Sequence, residues 1–125
     1  MLAAAHGVRA DIDGAADLLE ESWQLMEELF WNADHSAYAD ERDQTLDILS
    51  PYRGQNANMH AVEALLAAYE STNETRYLDR ASIITHKFTV AMTASTDGQI
   101  WEHYTTNWQH DWRYNIDKPN DLFKP

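Results

Sequence analysis

Apolar residues recur every three or four positions in three stretches of the chain, and each stretch predicts an amphipathic helix. The helices are expected at about residues 10 to 31, 56 to 71 and 74 to 93. Two acidic residues, Asp11 and Asp13, are suited to capping the start of the first helix. The apolar stripes of the first and third helices consist of Ile12, Ala15, Leu19, Trp23, Met26 and Phe30, and of Tyr77, Ala81, Ile84, Phe88 and Ala91.

Long polar segments alternate with these helices. Residues 32 to 54 form the first and include a possible short strand at Thr45, Leu46, Ile48 and Leu49, whereas residues 99 to 106 alternate as a strand does. Only the sequence TNET separates the second and third helices, which predicts an antiparallel hairpin. Connectors as long as residues 32 to 54 are often functional. The order predicts helical hairpins with their loops gathered at one end.

Three helices with two long loops bury little surface between them, so we expect a piece of a larger helical barrel. Apolar side chains that face missing hairpins would then be partly exposed. The residues expected to be exposed in this way are Leu19, Trp23, Leu65, Ile84 and Phe88.

Composition and charge exclude several classes of protein. The 125 residues include 21 acidic and 9 basic side chains, a formal charge of -12, which disfavours binding to nucleic acid or anionic membranes. No apolar run approaches the length of a membrane span, and the first eleven residues are too weakly apolar for a secretory signal. Cysteine is absent, which rules out disulfides and thiolate metal sites. A cytoplasmic location fits these features.

One stripe of the second helix carries candidate chemistry. Asn56, His60, Glu63 and Ala67 are spaced by three or four residues and therefore share a face. An amide can donate to and accept from adjacent hydroxyls, and an imidazole changes protonation near neutral pH. Glu63 could hold the imidazole in one tautomer. The group suits a polyol ligand, although the residues alone favour a core histidine that is hydrogen-bonded to a neighbouring loop, with Asn56 as a helix cap.

The remaining histidines and tryptophans give weaker signals. A zinc site needs three or four convergent ligands, and no HxxxH or HExxH motif accompanies His35, His103 or His110, so no metal site is predicted. An aromatic cluster near the end of the chain could form a platform for a sugar or anchor the loop by packing. Packing is the favoured interpretation for this cluster, which consists of Trp101, Trp108, Trp112 and Tyr114.

The stretch RGQNANMHAVE, residues 53 to 63, resembles the N-acylglucosamine 2-epimerase family. The resemblance covers nearly the whole chain, and the tail HYTTNWQHDWRYNIDKPNDLFKP is similar to a loop of that family. Within the family, the chain is most similar to bacterial aldose–ketose isomerases that act on mannose-like or sulfonated sugars.

The resemblance implies a mainly α protein, part of an (α/α)6 barrel whose sugar site lies at one mouth. Residues 1 to 125 would be an internal fragment of this single catalytic domain. The motif implies that His60 is a catalytic pocket residue and that Asn56 contacts the sugar, with Arg53 and Glu63 completing the substrate-binding set. The two principal acid–base histidines of the family, and an arginine from an early hairpin, would lie outside the chain.

The implied activity is aldose–ketose isomerisation, or 2-epimerisation, of a mannose-like monosaccharide through an enediol intermediate. Neutral histidines can supply the acid and the base, so no cofactor is expected. The isolated chain is predicted to be inactive. Two alternatives stay open: a glycoside hydrolase or lyase on a similar barrel, which would need a pair of catalytic carboxylates that does not stand out here, and a non-catalytic sugar-binding or interaction module.

Overall fold

Two helical hairpins and the long loops between them make up the fold. A computed structural model describes residues 1–118 of the chain. The helices are α1 (Leu2–Arg9), α2 (Ala15–Leu29), α3 (Gln55–Thr72) and α4 (Thr75–His86), and the short strands are β1 (Trp31–Asn32), β2 (Ala37–Tyr38), β3 (Arg53–Gly54) and β4 (His103–Tyr104). A π-helical turn (Lys87–Ala91) and a 3₁₀ turn (Thr93–Ser95) extend α4.

The four helices form two layers. α3 packs against α1 in one layer, and each of them packs against its hairpin partner, α4 and α2 respectively. Side chains connect α2 to α4 across the second layer: Arg76 forms an ion pair with Glu20 at 2.6 Å, and the rings of Trp23 and Tyr77 meet edge-on with centroids 5.2 Å apart. The hairpin predicted for the second and third helices is confirmed, because α3 ends at Thr72, α4 begins at Thr75 and the two helices pack against each other.

The short turns lie at one end of the molecule and the long loops at the other. α1 and α3 end together, since Arg9 lies 3.9 Å from Glu70 and the Ser71 hydroxyl donates to the Ala5 carbonyl at 2.8 Å. At the opposite end β3 and β4 pair antiparallel and join the two long loops beside the start of α3. The expected gathering of the loops at one end is confirmed.

The core lies between the two hairpins and reaches under the loops. The expectation that Leu19, Leu65, Ile84 and Phe88 are partly exposed is wrong, because each is at most 3% exposed, and only Trp23 is half-buried. Close packing between the hairpins and against the aromatic loop covers them. The large apolar residues that are exposed on and near the α3–α4 hairpin are Met59, Leu66, Ile83, Val90 and Ile100.

The first predicted helix begins later than expected and is preceded by another. α1 occupies residues that carried no predicted helix, and α2 starts at Ala15 after Gly14, whose φ of 77° is left-handed. Asp11 and Asp13 therefore lie in the turn between two helices and do not cap α2. The stripe from Ala15 to Phe30 packs inward as predicted, whereas Ile12 is exposed in the turn.

The predicted strand at Thr45 to Leu49 is also wrong. Leu46 has a left-handed φ of 63°, and the Asp43 carboxylate accepts hydrogen bonds from the Ile48 amide at 3.0 Å and the Thr45 hydroxyl at 2.8 Å. These bonds close a turn, and only an isolated bridge joins Arg42 to Leu49. Later in the chain the strand predicted at residues 99 to 106 shortens to β4, and the final stretch LFKP lies outside the described residues.

Candidate functional site at the start of α3

The start of α3 is fixed by groups from both long loops. The Gln55 amide donates to the Glu102 carbonyl at 2.9 Å, and the Asn56 amide donates to the Glu102 carboxylate at 3.2 Å. The Gly54 amide donates to the Asp40 carboxylate at 2.7 Å. Loop residues therefore satisfy amides that a helix leaves without internal partners.

Gly54 is required where the two loops meet. A Cβ at this position would lie 2.7 Å from the Tyr52 hydroxyl oxygen and 2.8 Å from an Asp40 carboxylate oxygen. The same Tyr52 hydroxyl lies 2.9 Å from Nδ1 of His103. A side chain at residue 54 would therefore separate groups that hold the start of α3.

His60 and Glu63 form a pair on the exposed face of α3. Nδ1 of His60 lies 2.8 Å from the Glu63 carboxylate, and the two side chains are 60% and 56% exposed. A carboxylate can only accept, so Nδ1 carries the proton, and in the neutral imidazole Nε2 presents a lone pair. The contact expected between these two residues is confirmed, and His60 is not the buried core histidine of the simpler interpretation.

Asn56 lies one turn before His60 and is also exposed. Its side chain lines a cavity of about 670 Å³ between the loops, which we call the loop pocket. The volume falls within the range of small-molecule sites. The loop pocket is lined by Tyr52, Asn56, Glu102, His103, Tyr114, Asn115 and Lys118.

Arg53 lies apart from this stripe. The residue is buried, and its Nη1 donates to the carbonyls of Ser50 and Tyr52, the latter at 2.6 Å. These bonds hold the loop that leads into α3. A direct contact between Arg53 and a substrate stays a prediction.

Asn58 is the residue of this motif that sequence reasoning missed. The side chain is fully buried; its oxygen accepts from the Tyr38 amide at 2.8 Å, and its nitrogen donates to the carbonyls of Tyr38 at 2.9 Å and Gly54 at 3.2 Å. The amide thereby joins β2 to the start of α3. A signal was available, because residue 58 is in phase with the buried positions 61, 65 and 68.

Several carboxylates surround the same end of the helix. Burial raises the pKa of Asp40 to about 6, and Glu102 and Glu41 add to the rise, whereas the Gly54 amide and Arg53 oppose it. Burial also raises the pKa of the Tyr52 hydroxyl, and the charges of Glu102 and Asp40 raise it further. The loop pocket therefore lies in a negative local field.

The aromatic cluster divides between packing and the pocket. Trp108 is buried against Phe88 and Tyr104, which agrees with the packing interpretation, and Trp101 packs on Trp112 with ring centroids 4.5 Å apart. Tyr114 lines the loop pocket instead. Among residues 1–118 no three histidine or acidic side chains converge as metal ligands would, and no helix is long and apolar enough to cross a bilayer.

Known proteins resemble the chain along its whole length. D-mannose isomerases from Marinomonas mediterranea and Thermobifida fusca are 39% and 36% identical to it over all of its residues, which correspond to 32% and 31% of their own length. A crystal structure of a D-mannose isomerase superimposes with a TM-score of 0.92 at 38% identity, covering 99% of this chain and 32% of that one.

The chain thus spans about a third of the length of the curated relatives it matches. Its helical hairpins are part of an (α/α)6 barrel, as the resemblance of the sequence implied. The profile of N-acylglucosamine 2-epimerase matches residues 1–125. The chain therefore belongs to the N-acylglucosamine 2-epimerase family.

Proposed function

We propose that the chain is an internal part of a single-barrel sugar isomerase that interconverts a mannose-like aldose and its ketose. The observation that carries the proposal is the His60–Glu63 pair, exposed on α3 one turn from Asn56. Relatives that are 35–39% identical along this chain are named D-mannose isomerases, which favours isomerisation over 2-epimerisation.

The chemistry requires proton transfer at two adjacent carbons. A base removes the proton from C2 of the open-chain aldose while an acid protonates the carbonyl oxygen; the resulting enediol is reprotonated at C1 while its C2 hydroxyl gives up a proton and becomes the ketose carbonyl. His60, with Nδ1 held by Glu63, presents Nε2 as an acceptor or donor for this transfer. Asn56 has both a donor and acceptors for sugar hydroxyls. The principal acid–base histidines would come from the rest of the barrel.

The exposed apolar residues support the place of the chain as one part of a longer barrel. Met59 and Leu66 of α3, and Ile83 and Val90 of α4 and its extension, are exposed on the hairpin. Contiguous apolar surface usually marks a contact with another element or molecule. A following hairpin would cover this surface as the α3–α4 hairpin covers the core side of α1 and α2.

The test is turnover of D-mannose by the full-length protein in D₂O. We expect the ketose to form with solvent deuterium at C1, because the base exchanges the proton that it took from C2 with the solvent before C1 is protonated. Deuterium at C2 of an aldose product would identify epimerisation instead, and no conversion would overturn the proposal. The 125-residue chain alone is expected to be inactive in the same assay, and activity there would contradict its place as a fragment.

A further inference from the structure

The lining of the loop pocket, with its half-buried carboxylate, favours an uncharged, hydroxyl-bearing ligand over an anionic one. We infer that Glu102, with Asn56, binds hydroxyl groups of the sugar in this pocket and selects neutral sugars over anionic ones. The inference rests on the proposed function and names the substrate class of that site, which shares Asn56 with the loop pocket; His60 and Glu63 are not among the described residues that line the pocket. Its basis is the geometry, charge and lining of the cavity.

Glu102 is placed beside Asn56 by two backbone contacts. Its carbonyl accepts from the Gln55 amide at 2.9 Å, and one carboxylate oxygen accepts from the Asn56 amide at 3.2 Å. A carboxylate has further lone pairs and can accept from hydroxyls as well. The acceptor of Glu102 and the donor and acceptor of the Asn56 side chain therefore converge on one cavity, an arrangement that suits neighbouring hydroxyls.

Aromatic rings form a rigid wall of the same cavity. Tyr114 stacks on His103 with ring centroids 3.7 Å apart and meets Tyr52 at 5.4 Å. The Tyr52 hydroxyl is held 2.9 Å from Nδ1 of His103. Rings fixed in this way lose little further side-chain freedom when a ligand binds, and a wall that includes them is suited to the apolar C–H groups of a sugar.

Charge decides which sugars fit. Glu102 is half-buried in the lining, and Asp40 and Glu41 add negative field at Tyr52. The cation of the lining, Lys118, is exposed and therefore more strongly screened by water and salt. A sulfonate, phosphate or carboxylate on the ligand would meet like charge at close range, which disfavours binding.

The experiment compares two ligands that lack a carbonyl, mannitol and mannonate, by titration calorimetry with the full-length protein. We expect the wild type to bind mannitol more tightly than mannonate, and Glu102→Gln to narrow the ratio of the two Kd values about tenfold. Gln keeps an oxygen that can accept from the Asn56 amide, so the start of α3 should be retained. A ratio that stays unchanged would overturn the inference.

Two further variants complete the design. Glu70→Gln removes the same charge from the far end of α3, where its contact with Arg9 is exposed and long at 3.9 Å, and should leave the ratio unchanged. Lys118→Gln removes the exposed cation of the lining and should widen the ratio only slightly, because water and salt screen this charge. If Glu102→Gln fails to fold, the wild-type ratio decides, because mannonate that binds as tightly as mannitol contradicts selection against negative charge.

Turnover in D₂O is measured on the same samples and separates the two proposals. If the wild type does not prefer mannitol to mannonate but isomerisation is normal, only the proposed selection by charge is overturned. The expected ratio without any isomerisation supports charge selection and overturns the proposed function.

Discussion

Two faces of α3 use neighbouring residues of one motif for opposite purposes. Asn58 faces the core and is fully buried, with three hydrogen bonds to backbone groups of Tyr38 and Gly54. Asn56 and His60 face outward, where Asn56 lines the loop pocket and His60 pairs with Glu63. Two positions along a helix correspond to about 200° of rotation, which separates the faces. The buried amide secures the helix start, so the exposed face can present polar groups that the fold does not need.

Among the substitutions that test the difference between the two faces of α3, the largest effect is expected on catalysis. In the full-length protein, His60→Ala should lower turnover of D-mannose about 10²–10⁴-fold, because a positioned acid–base group is lost. The melting temperature should change little, since the side chain is 60% exposed. His6→Ala, which removes an exposed histidine from α1, is the matched control and should keep normal turnover. Normal turnover of His60→Ala at a reduced melting temperature would make His60 a structural residue.

Substitutions on the buried face of α3 should lower the stability of the fold. Asn58→Ala is expected to lower the free energy of unfolding by about 2–4 kcal/mol, because it leaves buried backbone groups of Tyr38 and Gly54 without partners. Denaturant titration measures the change. Asn58→Asp keeps an acceptor for the Tyr38 amide but, when ionised, cannot donate to the two carbonyls, so it should also be destabilised. Wild-type stability of both variants would contradict the structural role of this amide.

Sequence periodicity predicted the exposed face of α3 better than the buried one. The spacing of Asn56, His60 and Glu63 was sufficient to place them together, since one helix determines their relation. The role of Asn58 depends on β2, twenty residues earlier, and Ala57 and Ala61 beside it gave no sign of a polar contact. The helical pattern identifies residues that share a face of the same helix. It contains no information on which loop packs against that helix.

The errors elsewhere have similar causes. α1 was missed because small residues carry its packing: a Cβ on Gly7 would lie 2.9 Å from that of Ala15. The apolar residues that follow Thr45 predicted a short strand, but hydrogen bonds to the Asp43 side chain favour a turn, as short acidic side chains often do. By contrast, the predicted stripe of α4 and its π-helical extension was correct from Tyr77 to Phe88, because these members face one core, whereas its last member, Ala91, is exposed.

The stability of the fold at the start of α3 should depend on pH through the titration of Asp40. Its pKa in the folded chain, about 6, lies above the unfolded value of about 3.9, so this group stabilises the fold fully below pH 4 and loses that contribution as the pH rises through 6. Asp40→Asn removes the titration and can still accept from the Gly54 amide. The variant should gain stability relative to wild type between pH 4 and 7, on the order of 1 kcal/mol after screening by water.

Asp43→Asn is the control for Asp40→Asn, because the pKa of Asp43 is shifted in the opposite direction. Hydrogen bonds from the Ile48 amide and the Thr45 hydroxyl lower the pKa of Asp43, so wild-type stability from this carboxylate is present at neutral pH and is lost as the pH falls. The two variants should therefore shift the pH dependence of unfolding in opposite directions. Parallel pH profiles for both variants and wild type would contradict the burial of Asp40 beside the start of α3.

The smallest effect should come from Asn56→Ala, the exposed counterpart of Asn58. Its backbone amide, rather than its side chain, contacts Glu102, so the free energy of unfolding should stay within about 0.5 kcal/mol of wild type. In the full-length protein KM for D-mannose should rise about threefold to tenfold with kcat nearly unchanged, because water partly replaces the lost hydrogen bonds to sugar hydroxyls. Unfolding titrations of Asn56→Ala and Asn58→Ala side by side measure the difference between the faces directly. Equal destabilisation would mean that both amides serve the fold and that the outward face is not reserved for a ligand.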